Sequence, residues 1–160
     1  MQSVKIICVG KIKDAFFRDV SDEYMKRLKA FCTAEIIEIP AANLPDDPND
    51  SQVSAALEKE SDAILKKIPS GAMVVAMCVE GKLFSSEDMA KCIADASMRG
   101  NGDIVFIIGG SYGLSDKVKA TADIRMSASK MTFPHRLFRV MLLEQIYRGY
   151  KINQGSKYHK

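Results

Sequence analysis

Short apolar runs alternate along the chain with segments whose apolar residues recur at helical spacing. The runs at 3–9, 35–39, 73–79 and 104–108 predict strands, and the continuous runs at 73–79 and 104–108 are typical of strands buried inside a parallel sheet. Between the first two runs, apolar side chains recur every three or four positions from Phe17 onward, which predicts a helix. Strand and helix alternate in this way to the end of the chain. The pattern therefore predicts an α/β fold, a mostly parallel sheet with helices on both faces.

Polar residues predict where several helices begin. Asp14 is predicted to cap the first helix, and a second helix is predicted from about 51 to 67. Residues 85–88, Ser-Ser-Glu-Asp, predict the start of a third, because hydroxyls satisfy free amides and acids favour the positive end of a helix dipole. The last helix, Pro134 to about Ile152, is apolar on more than one side. We expect one side to pack on the sheet and the other on a second copy of the chain.

Two loops follow strands at the predicted carboxyl edge of the sheet. The first is the glycine loop at 109–113, Gly-Gly-Ser-Tyr-Gly, and the second, after about a turn of helix and a short strand, covers 127–135. Loops at this edge of a parallel sheet line the ligand crevice, so together they predict a pocket. The glycine spacing matches neither the dinucleotide fingerprint nor the P-loop. A tight turn that needs positive φ and a plain polar loop remain the alternative interpretations.

Composition narrows the classes of protein that fit. The chain has 160 residues, 47% of them hydrophobic and 27% charged, so we expect one ordinary globular domain spanning 1–160. We expect a cytoplasmic protein, because the chain lacks a long apolar run and its start lacks the order of a signal peptide. Its four cysteines form no C-x-x-C pair and are expected to be buried, reduced thiols. No Ser-His-Asp order or metal-ligand motif is present, so hydrolase chemistry and a metal site are not predicted.

Basic residues concentrate at the C-terminal end. From Arg125 onward there are eight Lys and Arg side chains and a single acidic one, Glu144. This asymmetry indicates an anionic partner, or else a solvated face. The tail at 157–160, Lys-Tyr-His-Lys, carries an aromatic ring that can stack on unpaired bases and cations that can bind phosphates, although a frayed terminus is the alternative. His135, on the first turn of the last helix, is interpreted as a capping or packing residue.

Four segments closely resemble the RlmH family of small SPOUT-class methyltransferases, with elements collinear over the whole length. They are VGKIK (9–13), IIGGSYGL (107–114), SKMTFPHRLFRVMLLEQIYR (129–148) and the final YHK (158–160). The resemblance implies a C-terminal trefoil knot, which is a rare exception to the rule that chains are unknotted. It also implies a homodimer that uses S-adenosyl-L-methionine to methylate N3 of a pseudouridine in 23S (large-subunit) ribosomal RNA, on the assembled ribosome.

The resemblance also implies individual contacts. Those to the cofactor are Met77, Gly109, Ala128, Ser129, Lys130, Met131, Thr132 and Phe133. Within the expected reaction, His159 is suited to proton transfer near neutral pH, Tyr158 to stacking on or orienting the target base, and Arg139 to the active site. The side chains expected to contact the RNA are Arg136, Lys157 and Lys160.

Two rival functions stay open at this point. One is a non-enzymatic ribosome-binding or assembly factor that uses only the basic C-terminal end. Titration with S-adenosylmethionine distinguishes this function from the enzyme, because a non-enzymatic factor is expected not to bind the cofactor. The other is a SPOUT methyltransferase that acts on transfer RNA. The sequence also leaves open whether free RNA suffices, which residue takes the N3 proton, and whether the tail acts within its own subunit or across the dimer.

Overall fold

A computed structural model describes all 160 residues as five strands and five helices that alternate along the chain. The elements are β1 (Ser3–Val9), α1 (Ala15–Leu28), β2 (Thr33–Ile39), α2 (Asp50–Leu65), β3 (Met73–Leu83), α3 (Ser86–Ser97), β4 (Ile104–Ile108), α4 (Asp116–Thr121), β5 (Ile124–Ser127) and α5 (His135–Asn153). They form one sheet in the order β2-β1-β4-β3-β5. All of its strand pairings are parallel, which confirms the predicted class.

The central strands are apolar on both faces because both faces are covered by helices. In β4, Ile104, Phe106 and Ile108 point into one core cluster, while Val105 and Ile107 point into another. The first cluster contains buried residues of α1, α3 and α5, and the second contains buried residues of α2 and α4. Successive side chains of a strand point to opposite faces, so a strand between two helical layers must be continuously apolar. The prediction of helices on both faces is confirmed.

The starts of three helices can be compared with the N-caps expected from the sequence. The start of α3 is as predicted, since the side chain of Ser85 caps it. A capping box of Asn49 and Gln52, which was not predicted, begins α2. Asp14 occupies the N-cap position of α1, but its side chain makes no capping hydrogen bond. Its carboxylate instead accepts a hydrogen bond from the Nη1 of Arg136 at 3.3 Å, so it connects the start of α1 to the start of α5.

Strand β3 extends to Leu83, beyond the predicted end at 79. Its pairing with β5 changes register between Met77 and Lys82, so the residues between them bulge out of the ladder. Gly81 permits this close pairing, because a Cβ at this position would lie 2.8 Å from the backbone of Arg125. The bulge directs residues 78–80 towards the cavity described below.

Helix α5 packs closely on the sheet and on α3. Leu142, Leu143 and Ile146 are at most 2% exposed and belong to the core. Gly149 brings α3 unusually near, since a Cβ there would lie 2.8 Å from the Cδ1 of Ile93. The first predicted contact of this helix, with the sheet, is therefore confirmed.

The other apolar side of α5 is only partly covered within the chain. The ring of Tyr147 packs against Tyr24 of α1, with centroids 6.2 Å apart. Leu137, Val140 and Met141 remain half-buried. The second copy of the chain predicted to cover this side stays a prediction.

The cysteines largely follow expectation. Cys8, Cys32 and Cys92 are buried, whereas Cys78 is partly exposed because it lies in the β3 bulge. None of the helices has both the length and the apolar composition needed to cross a membrane.

Candidate active site

A cavity of about 710 Å³ opens at the carboxyl edge of the sheet. Its walls come from the ends of β3, β4 and β5, from the loops that follow β4 and β5, and from the first turn of α5. Small-molecule sites typically enclose roughly 300–1,000 Å³, so the volume suits a cofactor. This is the crevice that the two loops at 109–113 and 127–135 predict.

The cavity gathers most of the predicted cofactor contacts. Seven of the eight line it, namely Met77, Gly109, Ala128, Ser129, Met131, Thr132 and Phe133. Lys130 is the exception, and its side chain is exposed to solvent. The three segments that carry these residues are far apart in sequence, and the parallel sheet brings them to one edge. Their contact with a cofactor stays a prediction.

The glycine loop closes on itself. Its Gly113 amide donates to the Gly110 carbonyl at 3.0 Å, and Gly113 has a φ of +73°. A Cβ at Gly109 would overlap the Gly113 backbone, whose Cα would lie 2.9 Å away. The loop is thus a tight turn with a positive φ, as the alternative interpretation held, and it is also a wall of the cavity. The two interpretations are compatible.

Helix α2 lies beside the glycine loop, since a Cβ at Gly110 would lie 4.0 Å from the Oε1 of Glu60. The Ser61 hydroxyl is buried and donates to the Leu57 carbonyl at 2.6 Å, so the hydroxyl of Ser115, which lies against it, must donate to Ser61. Nearby, a carboxylate oxygen of Glu60 accepts a hydrogen bond from the Ala42 amide at 3.4 Å. Burial raises the pKa of the Glu60 carboxyl. These contacts connect α2 to Ser115, which follows the glycine loop, and to Ala42.

The loop after β5 is shaped by its own hydroxyls. The buried Ser127 hydroxyl donates to the Ser129 carbonyl at 2.8 Å. The Ser129 hydroxyl in turn accepts from the Met131 amide at 3.0 Å. The side chain of Met131 is left 70% exposed beside the cavity. Small polar residues therefore fix this loop without using the backbone ladder.

Two charged side chains of the cavity neutralise each other. Lys119 donates to the carboxylate of Glu80, and this hydrogen bond holds the pKa of Glu80 below its usual value. Beside them, burial raises the pKa of the Cys78 thiol. Neither Glu80 nor Cys78 is therefore disposed to take up or release a proton near neutral pH.

His135 ends the loop that was predicted to line the pocket, but the sequence indicates only a capping or packing role for its side chain. It belongs to the cavity wall, and neither ring nitrogen is hydrogen-bonded within the chain. Burial, and then the positive charges of Arg136 and Arg139, lower the pKa of its imidazole. Its place directly after the 127–134 loop was the available signal, because the first turn of a helix that follows a cavity loop faces the same crevice.

The two arginines of α5 are engaged inside the chain. Arg139 is 3% exposed, and it donates to the Glu38 carboxylate and to the Gly10 carbonyl, each at 3.0 Å. Arg136 pairs with Asp14, as described above. Neither arginine lines the cavity. Their predicted contacts with target base and RNA stay predictions, and the observed contacts anchor the start of α5.

The tail lies against α5 and the start of α3 of its own chain. The Tyr158 hydroxyl donates to Glu144 at 3.3 Å, and the Arg148 guanidinium lies 4.8 Å from the centre of the Tyr158 ring. The Nδ1 of His159 lies 3.2 Å from Arg148, and its Nε2 lies 2.9 Å from Glu87. Lys157 and Lys160 are exposed at the same end. No residue of the tail lines the cavity, so the structure brings the two cavity loops together and leaves the tail apart.

A small cavity of about 220 Å³ lies between the main cavity and the C-terminal tail. It shares Met77, Met126, Ala128 and Phe138 with the main cavity. Its other walls include residues 84–86, which directly precede the Glu87 that His159 contacts. The tail is therefore near the predicted site without entering it.

Comparison with known proteins identifies the family. The family described as "Predicted SPOUT methyltransferase" matches residues 2–159. Ribosomal RNA large subunit methyltransferase H of Clostridioides difficile is 46% identical over 158 residues, covering 99% of each chain. The protein of the same name from Streptococcus thermophilus is 48% identical over 157 residues, covering 98% of this chain and 99% of that one.

A solved structure supports the fold. The "probable methylase family protein from Haemophilus influenzae Rd KW20" aligns with a TM-score of 0.53 over 98% of this chain and 70% of that one, at 11% identity. At this identity the likeness concerns the fold alone. Family membership rests on the match across residues 2–159 and on relatives that align over nearly their whole length. This chain belongs to the SPOUT methyltransferase family.

Proposed function

We propose that this protein transfers a methyl group from S-adenosylmethionine to N3 of a pseudouridine in large-subunit (23S) ribosomal RNA, within the assembled ribosome. The observation that carries the proposal is the cavity that collects Met77, Gly109 and the 128–133 loop at the carboxyl edge of the sheet. Relatives 46% and 48% identical over nearly their whole length are named as large-subunit ribosomal RNA methyltransferases, which supports the choice of substrate.

The lining of the cavity fits the parts of the cofactor. Ile108 and Leu114 are apolar, as a surface that packs against an adenine ring should be. The hydroxyls of Ser129 and Thr132, with the backbone of the two loops, offer hydrogen bonds to a ribose and to an amino-acid group. When bound, S-adenosylmethionine supplies an electrophilic methyl group on a sulfonium.

The protein must align the reacting atoms and help a proton leave. The N3 of the base is a weakly acidic imide nitrogen, so it attacks well only as it loses its proton. Holding it in line with the methyl group turns a bimolecular step into an effectively unimolecular one. In the proposal Tyr158 and His159 hold the target base, while Arg136, Lys157 and Lys160 bind the phosphates around it.

The proposal places the tail at the cavity of a partner subunit. Within its own chain the tail lies beside Glu87 and Arg148 and does not line the cavity. An apolar surface on α1 supports a dimer, because Phe16 is 64% and Val20 is 43% exposed, one turn apart. A second copy that covered this surface and the half-buried side of α5 would remove it from water.

Three further features belong to the same proposal. Residues 1–160 act as one domain, the C-terminal segment forms the trefoil knot that the resemblance implies, and the protein works in the cytoplasm, where it meets ribosomes. Each follows from the proposed activity and family resemblance.

The decisive experiment uses ribosomes from a strain that lacks the gene. These ribosomes, free ribosomal RNA and transfer RNA are each incubated with the protein and methyl-labelled S-adenosylmethionine, and the labelled nucleotide is mapped by mass spectrometry. We expect label on one pseudouridine of the large subunit, in the assembled ribosome only. Label on transfer RNA, or cofactor binding without any transfer to ribosomes, would overturn the proposed substrate.

A further inference from the structure

Gly10 ends β1 in a conformation that is fixed from both sides. Its amide donates to the Ile39 carbonyl at 2.7 Å, its carbonyl accepts from Arg139 at 3.0 Å, and its φ is +93°. A Cβ on Gly10 would have a single neighbour within 4 Å, the Nε2 of His135, at 3.7 Å. The missing side chain therefore leaves an open space that is bounded by an imidazole nitrogen.

The other ionisable side chains of the cavity are poor proton acceptors. Glu80 is held as a carboxylate by Lys119, and Lys119 is itself a cation. Cys78 keeps its proton because burial raises the pKa of its thiol. Tyr112 carries a phenol and no basic nitrogen. His135 is the remaining lining group with a basic nitrogen.

The surroundings of His135 favour its uncharged imidazole. Burial is the first cause of its lowered pKa, followed by the positive charges of Arg136 and Arg139. Each of these arginines has a carboxylate partner on another element, Asp14 at the start of α1 and Glu38 on β2. The other charged groups of the cavity wall are Glu80 and Lys119, which pair with each other. Two exposed cations, Lys11 and Lys13, follow Gly10 in the chain.

We propose that Nε2 of His135 accepts the N3 proton of the target base during methyl transfer, and that Gly10 keeps the approach to this nitrogen open. With the ring proton on Nδ1, Nε2 presents a lone pair. The N3 proton moves to Nε2 and gives an imidazolium, and the electron pair of N3 forms the new N–CH₃ bond. The carbon–sulfur bond of the donor breaks with its electrons left on sulfur. The inference rests on the proposed function and deepens it.

The assignment differs from the one that the sequence favours. His159 lies between Arg148 and Glu87 within its own chain, at 3.2 and 2.9 Å, and it does not line the cavity. His135, at the end of the 127–135 loop, already lines the cavity in the absence of substrate. His159 then has the separate task of holding the target base with Tyr158.

The chain contains two histidines, so two variants separate the roles. Wild type, His135→Gln and His159→Gln are compared in single-turnover transfer to unmethylated ribosomes at saturating S-adenosylmethionine, from about pH 5 to about pH 9. For wild type we expect a rate constant that is level above neutral pH and falls at acid pH. For His135→Gln we expect a rate at least about a hundredfold lower, no acid fall, and unchanged cofactor affinity. His159→Gln should keep the acid fall, whatever its rate.

Two further measurements distinguish a proton acceptor at His135 from a residue that only supports the structure. Imidazole added to His135→Ala should restore part of the rate, which it would not do for a packing residue. In the unmodified protein, an NMR titration should give His135 a pKa below the ordinary 6.5 of a histidine.

Several outcomes would overturn the assignment. They are an acid fall that survives in His135→Gln, a wild-type rate that keeps rising through alkaline pH, a parallel loss of cofactor affinity, and the absence of imidazole rescue. Wild-type protein that fails to methylate ribosomes at all would instead overturn the proposed function.

Discussion

Arg139 and Glu38 form an ion pair that joins the end of the sheet to α5. The Nη1 of Arg139 donates to the Oε2 of Glu38 at 3.0 Å, and the side chains are 4% and 36% exposed. The same carboxylate oxygen accepts a hydrogen bond from the Ile12 amide at 3.0 Å. Arg139 also binds the Gly10 carbonyl, so one guanidinium and one carboxylate hold the loop after β1 against β2 and α5. His135 occupies the first turn of the same helix.

Removing the carboxylate should destabilise the protein, because it leaves a buried guanidinium without its counter-charge. We expect Glu38→Ala to lower the free energy of unfolding by about 2–3 kcal/mol, below the largest losses at buried pairs because Glu38 is partly in water. The matched control is Asp14→Ala, which breaks the more exposed pair with Arg136 and should cost less than about 1 kcal/mol. Urea denaturation measures both variants. Equally small losses of unfolding free energy in the two variants would mean that burial does not increase the contribution of the Arg139–Glu38 pair to stability.

Gly109 should tolerate no side chain. A Cβ there would overlap the Gly113 backbone, so Gly109→Ala must open the glycine loop. Opening the loop displaces a wall of the cavity, and we expect isothermal titration to show a cofactor affinity lower by on the order of a hundredfold, about 2.7 kcal/mol. The reason lies in closure of the turn rather than in space taken from the ligand.

The control for this experiment is Gly113→Ala. No atom lies within 4 Å of a Cβ at Gly113, but its φ of +73° makes the substitution strained. It should therefore cost about 1 kcal/mol of stability and much less affinity than Gly109→Ala. Similar affinity losses in the two variants would show that backbone strain, and not the overlap at Gly109, controls the loop.

Glu60, beside the glycine loop, should make stability depend on pH. Burial raises the pKa of its carboxyl in the folded protein, so unfolding favours loss of the proton. Its contribution is therefore fully present below the unfolded pKa and is lost as pH rises through the folded pKa. Glu60→Gln should match wild type at low pH and be the more stable protein at neutral pH. Urea midpoints across this range test the sign, and a wild type that gained relative to Glu60→Gln with rising pH would contradict it.

Much of the fold was predictable because its signals are local. The runs at 3–9 and 104–108 were assigned to the residue, since Gly10 and Gly109 end them. The end of β3 was missed because residues 80–82 are polar or glycine, and they join the sheet only through a bulged pairing with β5. No local pattern encodes that partner.

The site divides in the same way. The loops that line the cavity follow strands of a parallel sheet, and their position is a consequence of topology, so the sequence predicted the crevice correctly. The surroundings of Arg139 and His135 were not predictable, because they depend on Glu38 and Gly10, which come from distant parts of the chain. The sequence alone does not show that Arg139 pairs with Glu38 and Arg136 with Asp14, so both arginines were predicted only as RNA-binding or active-site residues.

The apolar surface on α1 leads to a prediction about assembly. If Phe16 and Val20 contact a second copy, light scattering should give twice the chain mass of 17.7 kDa at micromolar concentration. Phe16→Glu should then shift the protein towards monomer. Met98→Glu is the control, since Met98 is 79% exposed and belongs to neither α1 nor α5, but follows α3. A wild-type monomer, or dimers equally weakened by both substitutions, would speak against this interface.

Deleting the tail should affect activity far more than stability. The contacts of Tyr158 and His159 with Glu144, Arg148 and Glu87 are partly or fully exposed, and such contacts contribute little to stability. We therefore expect protein lacking residues 158–160 to keep its thermal stability and its cofactor affinity. Methyl transfer to ribosomes should fall by at least about a hundredfold, because the target base loses the groups that hold it. Full activity after truncation would make the tail a frayed end.

A mixed dimer decides whether the tail acts within its own subunit or across the interface. One subunit lacks 158–160 and keeps its cavity intact. The other has its tail but carries Gly109→Val, which we expect to abolish cofactor binding because its Cβ makes the same overlap with Gly113. If the tail acts across the interface, the intact tail meets the intact cavity, and one working site returns. If it acts within its own chain, where the structure shows it beside Glu87 and Arg148, neither subunit has both parts and the mixed dimer is inactive. We expect about half of the wild-type activity, because the tail lines no part of its own cavity, which favours action at the cavity of the other subunit.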